Sequence, residues 1–532
     1  MTDVARHPAG ALARNAALNL AGQGAPLVIA VVAMPFVVGG LGMDRFGLLT
    51  LAWVVLGYLN LFDLGLGKAA TKFVAEALAA RDDAAVARVA WTALLIQAVV
   101  GIVGTAALLA LTPFLVGRML NVPPELAQEA TATFRILALS APVTLLFNAS
   151  RGLLEAAERF DLVNAVRAPL NSTTYLVPLA GAFGGWRLPA IVGLLVAARA
   201  AGFAVQLWLA MRVLPPLRTR PRIDRAEAPR LLGFGGWVTV AGVLGPLLLY
   251  LDRFLIGALL TMAAVGYYAA PFEAMTRLWI VPGAIAAALF PAFSAAGRRV
   301  DPRVLAFHDT AVRFLLVGIG PALVAAAVLA RPILELWLGA AFADQAAAVF
   351  GILLIGSIPG LLAPLPGTIL QGLGRPDLLA RVYLAEVPAN ALLVWGLVSA
   401  FGLPGAAASY AIRTVGETLV LFALAARVVR EGEGWAEGGA ARGTAGAGQG
   451  PRRLGLPAGA GRIAVALAAL GAALWAATRV PATAAGITLG GVAIAVFAVV
   501  AWTKLLTEED RALVLRRVRH ADARTTFAEE AG

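Results

Sequence analysis

Two apolar runs close to the N-terminus, Ala16–Val38 and Phe46–Gly67, leave this chain few ways to fold. At 1.5 Å per residue, each run of about 20 residues crosses a hydrocarbon layer about 30 Å thick. Only the short loop Gly39–Arg45 separates them, so the pair reads as a membrane hairpin. Further runs of the same kind follow. The 532 residues are 60% hydrophobic and 14% charged, against about 25% charged in an ordinary soluble chain. The short alternating segments of a membrane β-barrel are absent. The expected fold class is therefore an all-α polytopic membrane protein.

About fourteen spans are expected. After the hairpin come Val89–Val116, Thr131–Leu153, Leu162–Phe183 and Leu188–Met211. A second set covers Leu231–Leu260, Val265–Phe293, Ala311–Ala330, Ala346–Leu370, Leu378–Phe401 and Leu403–Ala426, and a final pair covers Ile463–Thr478 and Ala485–Lys504. The domain reading is an N-terminal six-helix bundle (1–211), a basic cytoplasmic loop (212–230) and a C-terminal six-helix bundle (231–426). A Gly-rich cytoplasmic linker (427–461), an extra helix pair (462–504) and a cytoplasmic tail (505–532) complete it. The linker lacks apolar periodicity and reads as disordered. In the tail, Leu513 with Arg516 and Arg517 suits a short amphipathic helix, lying on the membrane or merely solvated.

Charge supports this phase. With the N-terminus inside, Lys68, Lys72, Arg81, Arg88, Arg151, Arg159, the arginines from Arg212 to Arg230, Arg298, Arg299, Arg303, Arg375 and those of the linker and tail all face one side. The other side holds little beyond Arg45, Arg118, Arg187, Arg331 and Arg479. Cytoplasmic loops collect Lys and Arg, so both termini are placed in the cytoplasm and the net charge of +12 reads as topology rather than nucleic-acid binding. The polar start, Met1–Arg14, precedes a run too long for a signal peptide, so the first span is read as uncleaved.

An internal repeat runs through this order. Leu41-Gly42-Met43-Asp44-Arg45-Phe46-Gly47 is echoed by Met262–Tyr268, Asp161-Leu162 by Asp377-Leu378, Leu188-Pro189 by Leu403-Pro404, and Arg199 by Arg413, all at offsets of about 217 residues. Two halves of like orientation follow, and transporters often hold substrate where such repeats meet. Several chemistries are not supported. There is no cysteine, and the three histidines, His7, His308 and His520, are scattered. Gly65-Leu66-Gly67-Lys68 lacks the first Gly and the hydroxyl of a P-loop. Asn148-Ala149-Ser150 and Asn171-Ser172-Thr173 match a glycosylation sequon but lie inside spans.

Ionisable residues within spans are costly and therefore informative. Arg199, Arg277 and Arg413 lie roughly 15–20 Å deep along their helices. Arg167 sits in an inner third, Arg135, Asp252 and Arg253 lie toward outer ends, and the acids are Glu273, Glu386, Glu417 and, near an inner end, Asp63. Two readings stand. Glu273/Arg277 and Arg413/Glu417 are spaced i,i+4 and could neutralise each other within one helix. Alternatively the arginines line a wet cavity, where a planar guanidinium suits phosphate oxygens. Arg199 has no acid at i±3 or i±4 and must face a cavity or another helix. Prolines inside spans, such as Pro142, Pro178, Pro282 and Pro359, bend or loosen helices.

These residues carry a resemblance. Asn15–Asn19, Leu41–Leu49 and Leu61–Leu66, then Tyr250-Leu251-Asp252-Arg253-Phe254-Leu255-Ile256-Gly257, Val265–Tyr268 and Gln371–Pro376, resemble bacterial polysaccharide-precursor flippases (O-antigen type) of the multidrug/oligosaccharidyl-lipid/polysaccharide exporter superfamily. The resemblance implies two six-helix bundles in a V shape, alternating access, a cationic cavity, and no enzymatic activity. The implied substrate is an undecaprenyl-diphosphate-linked oligosaccharide moved to the outer leaflet of the bacterial inner membrane, for O-antigen or exopolysaccharide synthesis. Substrate contact is assigned to Arg199, Arg277, Arg413, Arg167 and Arg253. Coupling to a proton or sodium gradient is assigned to Glu273, Glu417 and Glu386, with no cofactor or metal. Partners are membrane lipids and, in the same pathway, a polysaccharide polymerase and glycosyltransferases. The last two spans are similar to the extra pair of lipid II flippases, from which the long linker departs. Two alternatives stay open: an ion-coupled drug antiporter, which would favour a carboxylate-rich cavity, and a membrane ligase or polymerase, which short outside loops disfavour.

Overall fold

Backbone N–H and C=O groups in hydrocarbon must be satisfied by the chain itself, which leaves helices as the local solution. The computed structural model describes residues 29–59, 66–286, 302–373, 375–437, 459–480, 483–512 and 515, and holds no strand among them. Its helices are α1 (Ile29–Leu41), α2 (Met43–Leu59), α3 (Leu66–Ala79), α4 (Asp83–Phe114), α5 (Ala127–Ala156), α6 (Phe160–Phe183), α7 (Leu188–Val213), α8 (Glu227–Leu259), α9 (Met262–Thr276), α10 (280–286), α11 (Pro302–Gly318), α12 (Gly320–Val328), α13 (Ala330–Leu338), α14 (Ala340–Gly360), α15 (Pro364–Gly372), α16 (Pro376–Phe401), α17 (Leu403–Glu437), α18 (Ala460–Thr478) and α19 (Thr483–Val500). Eight of the expected spans coincide with stretches long and apolar enough to cross a membrane, from Asp83–Met119 to Ala485–Leu505. The protein is a polytopic all-α membrane protein. Met1–Arg14, Asp63, Arg298, Arg299, most of the Gly-rich linker, and Leu513, Arg516 and Arg517 lie outside the described residues.

Apolar surface is turned outward as a lipid solvent requires. Val99, Ile102 and Val103 on α4, and Ile487, Val492, Val496 and Val499 on α19, are each more than half exposed. In water such area would cost about 25 cal/mol per Å². In lipid it costs nothing, so helix association must come from close packing and polar contacts instead.

The chain divides into two compact units. The first comprises Met1–Ala274 with Tyr383–Ala406. Here α5 packs against α2, α3, α4 and α7. Small residues let the backbones approach: a Cβ on Gly101 of α4 would fall 2.4 Å from the Pro142 Cα of α5. Hydroxyls bond across the same contacts, from Thr105 to the Ala138 carbonyl (2.8 Å) and from Ser150 to Gln206 (3.1 Å). The repeated sequence motif has a direct role. Gly42, at φ +77°, breaks the chain between α1 and α2. Asp44 then accepts the Ala263 N–H (3.0 Å) at the start of α9, and Gly266 packs on Met43 and Phe46. Arg45 bonds Glu129 (3.1 Å), which also accepts the Leu188 N–H (2.8 Å), joining α2, α5 and α7.

The second unit comprises Met275–Val382 and Ala407–Gly532. Its α14 ends at Gly360, and α17 supplies further donors to carbonyls of the last turn. Thr414 bonds the Gly356 carbonyl (2.7 Å) and Thr418 that of Pro359 (2.9 Å). The extra helices α18 and α19 belong to this unit, with Leu467 of α18 against Gly320 of α12. Beyond α19, Thr507 and Asp510 cap each other's backbone N–H (3.0 and 3.2 Å). The fully buried Asp510 also takes hydrogen bonds from Arg313 (2.7 and 3.1 Å) and Thr310 (3.0 Å) on α11. Burial alone would raise its pKa, but Arg313 and Thr507 outweigh it and hold the carboxyl below its ordinary value.

Local structure repeats as the sequence does. An Arg159–Asp161 fork (2.9 and 2.8 Å) opens α6, and an Arg375–Asp377 fork (3.0 and 3.3 Å) opens α16. Gly185 and Gly402, both at φ +64°, precede Leu188-Pro189 of α7 and Leu403-Pro404 of α17.

Two outcomes follow. Gly101→Leu overpacks the α4–α5 contact and is expected to cost about 1–3 kcal/mol, whereas Gly104→Ala, whose Cβ would sit 3.7 Å from Ala141, is expected to be neutral in thermal melts. Asp510 has a depressed folded pKa, so its latch contributes fully above the ordinary carboxylate range and is lost as pH falls through the folded value. Asp510→Asn is expected to lower the melting temperature at neutral pH, and the gap from wild type should close below about pH 4.

Candidate functional site

Arg199 sits midway along α7, half-buried, where a guanidinium needs either a counter-ion or water. Among the described residues no carboxylate pairs with it, and its one hydrogen bond is a long contact to Thr144 Oγ1 (3.5 Å). Instead it lines a cavity of about 120 Å³ with Trp53 of α2, Thr173 and Thr174 of α6, and apolar side chains including Leu56 and Leu195. The Trp53 indole N–H is buried without a hydrogen-bond partner, and its ring meets Tyr175 edge-on at 5.7 Å. Arg199 is the one charged group in the lining, which holds no acid, and the space has room for several waters or one phosphoryl group.

Arg413, its counterpart in the repeat, is neutralised. It bonds Glu417 one helical turn on (2.9 Å), and both side chains are nearly buried. This is the intrahelical pairing that the i,i+4 spacing allows. At the matching position of α7 stands Phe203, so one arginine of the repeat keeps its charge free and the other does not.

Glu273 meets a cation that spacing along its own helix does not name. Glu273 accepts a hydrogen bond from Arg253 of α8 (2.9 Å), whose side chain is 1% exposed. The Arg253 guanidinium also lies over the rings of Tyr250 (4.9 Å) and Phe272 (5.2 Å), and Tyr268 donates a short hydrogen bond to Asp252. Arg277 lies in the 3-10 turn Arg277–Trp279 that interrupts the helix after α9. Arg167 is exposed on α6 with no ion pair, and Glu386 is half-buried on α16. Within the first unit the fold thus brings Arg253, Asp252 and Glu273 into one cluster, and leaves Arg199 apart from it.

Sequence reasoning missed the partners. Thr173 and Thr174 belong to the polar run Asn171–Thr174, visible in an apolar span but set aside as a sequon. Tyr268 and Phe272 lie in the apolar run Val265–Phe293, where nothing in the sequence marks them as neighbours of a charge. Trp53 carried no signal, because one indole in an apolar run has no periodicity to betray its direction.

A polytopic helical transporter fold is what this architecture matches among solved structures. An inward-facing multidrug resistance MATE transporter of the MOP superfamily superposes with a TM-score of 0.64 at 16% identity, covering 76% of this chain and 95% of that one. The lipid II flippase MurJ, in an inward closed conformation, superposes with a TM-score of 0.61 at 10% identity, covering 90% of this chain and all of that one. In sequence, a Shigella flexneri protein provisionally described as an O-antigen transporter is 27% identical over 421 residues, 77% of this chain and 96% of that protein. A family model described as "Polysaccharide biosynthesis protein" matches residues 41–347, more than half of the chain, and the chain belongs to that family. The resemblance read from the opening hairpin is established; these relatives are transporters and a flippase, not enzymes.

Breaking a buried ion pair strands its partner's charge, so Arg253→Met is expected to cost about 3–5 kcal/mol. Arg253→Met/Glu273→Leu should recover part of that loss, as read by thermal unfolding of the purified protein.

Proposed function

We propose that this protein flips an undecaprenyl-diphosphate-linked oligosaccharide from the cytoplasmic to the outer leaflet of a bacterial inner membrane, by alternating access. It would serve O-antigen or exopolysaccharide synthesis, with both termini in the cytoplasm and glycosyltransferases and a polymerase acting before and after it. The match to an O-antigen transporter along nearly that protein's whole length supports the substrate class.

The observation that carries the mechanism is Arg199, a cation at mid-helix that pairs with no carboxylate among the described residues and lines a cavity holding no acid. A free guanidinium there is expensive unless a visiting anion neutralises it. A diphosphate does so with paired oxygens that match the planar donor fork. The cavity takes only the phosphoryl end, and the sugar must lie in space that opens during the transport cycle. Arg277, Arg413 and Arg167 are proposed as further contributors along the path. Arg253 is better read as a structural cation held by Glu273.

Coupling is assigned to acids already beside cations. Protonating Glu417 would release Arg413 from its pair, which gives proton binding a way to change the charge offered to substrate, and protonating Glu273 would loosen the Arg253 contact between α8 and α9. Sodium could act on the same carboxylates.

Arg199→Ala, made at normal expression in a deletion strain and in proteoliposomes with labelled lipid-linked oligosaccharide, is expected to lower translocation at least about tenfold. Arg199→Lys should restore part of it, since charge survives but the fork does not. Full export by Arg199→Ala would remove this arginine from the substrate path.

A further inference from the structure

The connector between α7 and α8 holds a second cationic recess, distinct from the Arg199 cavity. After α7 the chain makes a 3-10 turn, Pro215–Arg218, and runs without regular structure to Glu227. It is fixed to the first turns of α4. The Trp91 indole donates to the Leu217 carbonyl (3.2 Å), and the Asp224 N–H donates to Thr92 Oγ1 (2.9 Å). Asp224 accepts the Ala226 N–H (2.8 Å) and lies 3.7 Å from Arg88, while Leu217 is fully buried. These ties enclose a recess of about 980 Å³ lined by Arg88, Arg220, Arg222, Arg225, Trp91 and Ile223, among others. Arg220, Arg222 and Arg225 are exposed, with no ion pair or hydrogen bond among the described residues. The carboxylate on the recess wall, Asp224, is shared with Arg88.

We infer that this recess binds the phosphoryl headgroup of an anionic phospholipid of the leaflet it faces. A topological excess of arginine requires only that the charges lie in the loop. Here backbone ties to α4 instead converge them on one concave surface. The depth fits a headgroup: on the neighbouring last turns of α7, Trp208 is 47% exposed with the Arg212 guanidinium 4.0 Å over its ring, the arrangement of a membrane–water boundary. Trp91 and Ile223, the latter 43% exposed, give the recess an apolar wall suited to the glycerol and upper acyl region and of little use to a soluble anion. Basic pockets at this level commonly bind cardiolipin-like headgroups. The inference does not depend on the transported substrate.

Native mass spectrometry of the full-length protein, released from nanodiscs of phosphatidylcholine mixed with phosphatidylglycerol or cardiolipin, tests it. Wild type is expected to retain the anionic lipid preferentially. Arg220→Gln/Arg222→Gln/Arg225→Gln should weaken retention at least about tenfold. Should that variant fold poorly, the comparison of Arg222→Gln with Arg218→Gln decides. Arg218 belongs to the same loop but bonds the Met211 carbonyl (3.0 Å) and does not line the recess. Loss with Arg222→Gln and none with Arg218→Gln supports the site. Equal loss in both, no lipid preference in wild type, or displacement by inorganic phosphate as effective as by phosphatidylglycerol overturns it.

Discussion

Hydrocarbon cannot hydrate a charge, and the placement of ionisable groups in this protein follows from that. Asp252, Arg253, Glu273, Arg413 and Glu417 all lie on helices at or near membrane depth, and each has a partner of opposite sign or a donor aimed at it. The same rule acts on the backbone where α14 ends, with Thr414 and Thr418 donating to carbonyls of its last turn. Among the described residues Arg199 and Arg167 have no ion pair, and of the two Arg199 is the one that lines a cavity.

The internal repeat gives that exception its meaning. Matched positions share local geometry: an Arg–Asp fork opens α6 and α16, and a left-handed glycine precedes a Leu-Pro start in α7 and α17. Arg199 and Arg413 occupy equivalent places, yet Glu417 closes one pair while Phe203 stands at the other. A single side-chain difference separates a neutralised position from a cationic one. Segments that repeat in sequence thus share local geometry, and at this position they hold charge differently.

Much of this was legible early. Long apolar runs admit few backbone solutions, so class, helix positions and the approximate ends of α4, α5, α7, α14, α16, α18 and α19 follow from hydropathy alone. The i,i+4 pair Arg413–Glu417 was also readable, because one helix fixes both residues. At Glu273 the same reasoning was incomplete, because it did not name Arg253 of the preceding helix, which also bonds this carboxylate. Spacing along a helix lists which pairs are able to form; rotation of neighbouring helices selects among the charges within reach.

Sequence by itself determined that the chain spans a membrane as helices, that short segments recur at a spacing of about 217 residues, and which rare charges lie along the apolar runs. Each is a property of one segment read against a uniform solvent. Only the tertiary structure decided that Arg199 meets a cavity while Arg253 meets Glu273, that Asp44 caps α9, and that Asp510 fastens the final helices to α11. Those outcomes depend on which faces of different helices come together, and in a chain where nearly every face is apolar, hydropathy carries no record of that choice.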